Sequence, residues 1–122
     1  MTQNDSFPFQ VTGNKRQDEI NTCLKTIQNW GLKMPEGDPL VLDFGLNRFD
    51  EVGEIEFWIA NEEKAGYCGK FLFVKPNQTC PYHHHNVKHE TFFVMKGKVR
   101  MVIDGKEIFL SEGDTLVMPP GQ

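Results

Sequence analysis

Along residues 14–31, NKRQDEINTCLKTIQNWG, apolar side chains recur at Ile20, Leu24 and Ile27, with Cys23 and Trp30 beside the same stripe. Steps of four and three are the period of a helix with one face turned to a core. Asn14 followed by Gln17 has the spacing of a capping box, Gly31 suits a C-terminal cap, and Pro35 blocks continuation. The pattern therefore predicts a helix over residues 15–30.

Beyond Pro39 the pattern changes to short apolar-rich runs: LVLDFG, EIEFWIAN, GKFLFVK, ETFFVMKG, KVRMVI, KEIFLSEG and DTLVMP. Each has strand length, and Gly, Asn, Asp or Pro separates it from the next. Asp104-Gly105, between VRMVI and KEIFL, marks a tight hairpin, because a type I′ turn needs positive φ at both central residues. Regular short strands with one early helix indicate a mainly β fold, an antiparallel barrel or sandwich. There is no repeat, low-complexity tract or linker to justify a second domain. The expected organisation is an N-terminal tail and helix over residues 1–39 and a β domain over residues 40–122.

Composition narrows the function classes. The chain has 122 residues, 39% hydrophobic and 11% aromatic with ten Phe, which are values of a globular chain with one core. Its net charge is −4, and its 13 basic residues are scattered. Nucleic acid and anionic membrane surfaces, which need a concentrated positive field, are not expected partners. No apolar run approaches the ~20 residues of a membrane span. The opening MTQNDSFPFQ has neither the basic leader nor the apolar core of a secretory signal. Cys23, Cys68 and Cys80 are an odd, widely spaced set, which suits reduced thiols in a cytoplasmic setting.

Chemistry is concentrated in one place. All four histidines fall within HHHNVKHE, residues 83–90. On an extended strand His83 and His85 point to one face while Tyr82 and His84 point to the other. Residues Asn86 to His89 can turn the chain so that Glu90 opens the next strand. Two imidazoles and one carboxylate converging from neighbouring strands form a donor set for a divalent first-row metal, with bonds of about 2.0–2.2 Å.

The full spacing is His83-x-His85-(four)-Glu90-(six)-Gly97, then, after fifteen residues, Gly113-(five)-Pro119-x-Gly121. It resembles the two motifs of the cupin superfamily, whose fold is a small antiparallel β-barrel of jelly-roll type. The departure lies six residues before the first histidine, where Asn77 replaces the usual glycine; Asn tolerates left-handed backbone better than other non-glycine residues. The surrounding Tyr67, Lys70, Gln78, Pro81 and Lys88, with Phe49-(three)-Gly53-(seven)-Asn61 upstream, resemble the D-lyxose isomerase family of cupins. The resemblance spans roughly residues 40–121.

That resemblance implies a site in which His83, His85 and Glu90 hold a metal, manganese first, with Fe, Ni, Co or Zn as alternatives. It implies a sugar substrate, interconversion of D-lyxose with D-xylulose and of D-mannose with D-fructose, and Lys70 and Lys88 near the sugar. Assembly as a homodimer is also implied. The family's fourth ligand, a histidine three residues after Gly121, lies outside the sequence, so an incomplete barrel and an impaired catalyst are expected. A proton must also move between adjacent carbons, for which Lys70, Lys88, His84 and His89 are candidates. Two other functions share these ligands: a non-catalytic sugar- or metal-binding cupin, and an Fe(II) dioxygenase-type cupin.

Overall fold

The computed structural model describes residues 9–80 and 89–121. One helix, α1 (Gly13–Asn29), precedes seven strands: β1 (Leu40–Leu42), β2 (Glu54–Glu62), β3 (Tyr67–Phe73), β4 (Glu90–Phe93), β5 (Val99–Ile103), β6 (Lys106–Leu110) and β7 (Thr115–Met118). All seven strand-like runs of the sequence become strands. They form three antiparallel sheets, ordered β1-β2-β3, β4-β7 and β5-β6, and the described strands do not close into a barrel. The chain divides into two compact units at Pro81/Tyr82.

In the first unit α1 packs through Ile20, Cys23 and Ile27. These side chains join Val11, Val41, Phe49, Ile55 and Phe57 in one buried cluster, with Leu32, Met34, Phe71 and Phe73 packed around it. Strand parity explains the choice: Val41, Ile55 and Phe73 are cross-strand partners, and Phe57 partners Phe71 on the same face. Leu24, expected in the apolar stripe, is 42% exposed. The buried line runs through Ile20, Cys23 and Ile27, which leaves Leu24 at its margin.

The end of α1 follows the sequence signal and its start does not. Gly31 has φ 79°, and its N–H donates to the Gln28 carbonyl while the Leu32 N–H donates to the Ile27 carbonyl. That bond pair is a Schellman cap, sealed by Leu32 against the core. The capping box predicted at Asn14 is not formed: the helix begins two residues earlier, at Gly13, with Thr12 at the N-cap. The Gln17 amide instead donates to Asn21 Oδ1 at 2.9 Å along the helix surface.

A polar clip also ties α1 to the loops of its unit. The Lys75 ammonium bonds Glu19 at 2.9 Å, pairs with Asp50, and sits 5.2 Å over the Phe49 ring. In the second unit Asp104 and Gly105 have φ 50° and 78°, the type I′ geometry, between the paired Ile103 and Lys106. Directly after β4, Val94 exchanges backbone bonds with the turn before β7: its N–H donates to the Asp114 carbonyl, and the Gly113 N–H donates back to the Val94 carbonyl.

Candidate functional site

β2 carries a second pattern on the face away from α1. Glu54 and Glu56 alternate with Ile55 and Phe57, so they point opposite to the apolar core. Both carboxylates are only 6% exposed, and their cross-strand partners on β1 are the buried Leu42 and Leu40. Lys70 reaches over from β3, its ammonium 3.0 Å from Glu56 Oε1 and 4.9 Å over the Trp58 ring. Burial pushes the Glu54 carboxyl up to about 8, assisted by the neighbouring Glu56 charge and a hydrogen bond to Glu56; the Cys80 thiol and Lys70 oppose the shift. This environment favours the protonated form of Glu54 beside Glu56, which is paired with Lys70.

Below this cluster is a clasp built from residues whose spacing resembled the isomerase family. The buried Gln78 amide donates to the Phe49 carbonyl, and its Oε1 accepts from the Lys75 N–H at 2.9 Å. The Gly53 N–H donates to Thr79, and the Thr79 N–H donates to Glu51, both at 2.9 Å. A Cβ at Gly53 would lie 2.6 Å from the Leu42 carbonyl oxygen, 2.6 Å from the Phe49 ring and 2.9 Å from the Gln78 amide. Asn77 opens the turn into this clasp at φ 65°, as its place in the motif requires. Phe49, Gly53 and Gln78 thus act structurally, and Gln78 has its amide committed to backbone.

Of the expected metal ligands, Glu90 is half-buried at the head of β4, opposite Met118. His83, His85 and Lys88 lie outside the described residues, as does His84. His89 is exposed. Among the described residues no three His, Cys, Asp or Glu side chains are grouped to hold a metal. Sequence reasoning did not single out Glu54 and Glu56. The available signal was Glu-x-Glu inside an otherwise apolar strand, which places two acids on one buried face.

A β-rich chain of short antiparallel strands, with motif glycines at Gly97, Gly113 and Gly121 all at positive φ, defines the class. Residues 70–122 match the cupin domain family. The chain also has a likeness to an isomerase. It is 36% identical over 73 residues to the D-lyxose/D-mannose isomerase of Thermosediminibacter oceani, an alignment covering 55% of this chain and 39% of that protein. The chain thus spans well under half the length of that relative. No helix among the described residues is long and apolar enough to cross a membrane.

Proposed function

We propose that the chain provides the cupin part of a metal-dependent aldose–ketose isomerase for sugars of the D-lyxose and D-mannose type. The observation that carries this reading is the 73-residue similarity to a D-lyxose/D-mannose isomerase. The donor set supports it: two imidazoles, His83 and His85, with the Glu90 carboxylate are hard-to-borderline ligands suited to Mn(II) and its first-row neighbours. A divalent cation held there would supply Lewis-acid stabilisation of negative charge on adjacent sugar oxygens.

The remaining work falls to side chains. Glu90, on a strand, presents a fixed carboxylate at the start of β4. Lys70 and Lys88 are candidate donors to sugar hydroxyls; Lys70 is held by Glu56 and Trp58, which limits its rotamers and so the entropy lost on contact. A reducing, cytoplasmic setting and a homodimer complete the proposal.

The test is incubation of Mn(II)-loaded protein with D-lyxose and D-mannose, with chelator-stripped protein alongside. Metal-dependent appearance of D-xylulose and D-fructose is expected, at the low rate of an impaired catalyst. Metal binding without turnover of either sugar would replace the reading with a sugar- or metal-sensing cupin. Oxygen consumption by the Fe(II)-loaded chain would replace it with a dioxygenase.

A further inference from the structure

The polar face of β2 presents two buried carboxylates, Glu54 and Glu56, to one ammonium, that of Lys70 on β3. Leu42 on β1, opposite Glu54, supplies no charge, and among the described residues the further titratable neighbour is the Cys80 thiol, in the loop after β3. Two anions with one cation in a low-dielectric setting carry an uncompensated negative charge, which a single proton removes. We propose that Glu54 and Glu56 hold one proton between them, making this face a pH-sensitive switch whose output is the reactivity of Cys80.

With the proton in place, the Glu54 carboxyl donates to Glu56, and Lys70 neutralises the one remaining charge. When the proton leaves, Glu54 can no longer donate, and its hydrogen-bond donor is the Cys80 thiol. The thiol is then held in its protonated form, because a thiolate beside a carboxylate would add a further negative charge. Cys68, an exposed thiol that is not among the groups acting on Glu54, serves as the internal standard.

The experiment measures iodoacetamide alkylation of Cys80 and Cys68 in the full chain from pH 6 to 10, resolved by peptide mass. It is paired with infrared detection of protonated carboxyl groups in the same protein. Around neutral pH the spectrum should retain one protonated carboxyl. As that band disappears, the Cys80 rate should fall several-fold behind Cys68, and Glu54→Gln should restore parallel profiles. Loss of every protonated carboxyl below pH 6 would overturn the proposal, as would an unchanged Cys80-to-Cys68 ratio in the variant. Should Glu54→Gln misfold, the wild-type carboxyl spectrum alone decides. Neither readout requires turnover, so the proposal stands or falls separately from the isomerase reading.

Discussion

Glu54 is a residue the fold carries at a cost. The folded chain binds its proton more tightly than the unfolded chain, because burial and Glu56 raise its pKa from 4.5 to about 8. Across that interval the unfolded state binds fewer protons, so stability falls as pH rises, and the loss levels off above about 8. Glu54→Gln should therefore melt higher than wild type at pH 8 and no higher at pH 5, as thermal unfolding followed by circular dichroism would show. At the metal motif, strand parity gives a second residue-scale expectation: His85→Ala should abolish bound Mn(II), whereas His84→Ala should leave metal content nearly unchanged. Equal losses in the two variants, measured by elemental analysis, would refute the parity argument. The cupin spacing was legible because it is specific, and residues 70–122 match that domain family. The Glu54–Glu56 pair was not, because period-two alternation reads Ile55 and Phe57 as the buried face and assigns the acids to solvent. Only the tertiary structure shows that both faces of β2 are covered over its first four residues, 54–57.

At the scale of elements, backbone geometry made the sequence readable. Asp104-Gly105 and Gly31 each need a left-handed conformation that few other residues adopt cheaply, and both turns lie where expected. Gly31→Ala should lower stability by about 1 kcal/mol, a few degrees in melting temperature. Gly105→Ala should cost a similar amount and speed hydrogen exchange in β5 and β6 selectively, measurable by mass spectrometry. The start of α1 was less legible because a capping side chain competes with several nearby alternatives: Asn14 and Gln17 were available, yet Thr12 takes the N-cap position without a side-chain bond. Leu24 was misplaced because a stripe read at i and i+4 can rotate to i and i+3, here from Ile20 to Cys23.

For the whole molecule, the three cysteines report on how evenly the chain is packed. Cys23 is buried in the helix–sheet core, where burial, with a smaller contribution from the Glu19 charge, pushes its thiol up to about 12. Cys68 and Cys80 are exposed. A thiol reagent at pH 8 should therefore count two thiols in the native protein and three after denaturation without reductant. A denatured count of one would mean a disulfide. The native lag of Cys23 measures the opening of the first unit.

The clasp around Gly53 has a genetic consequence. Gly53 is there for room, its missing Cβ leaving space for a carbonyl oxygen, an aromatic ring and an amide that are each already committed elsewhere. None of the three can retreat cheaply, because the Leu42 oxygen belongs to a strand, the Phe49 ring is 1% exposed in the core, and the Gln78 amide is bonded to backbone. A library randomised at this one codon and sorted for folded protein should return glycine alone. Single-nucleotide changes at the first or second base of that codon would be removed by selection whatever the chain binds or turns over.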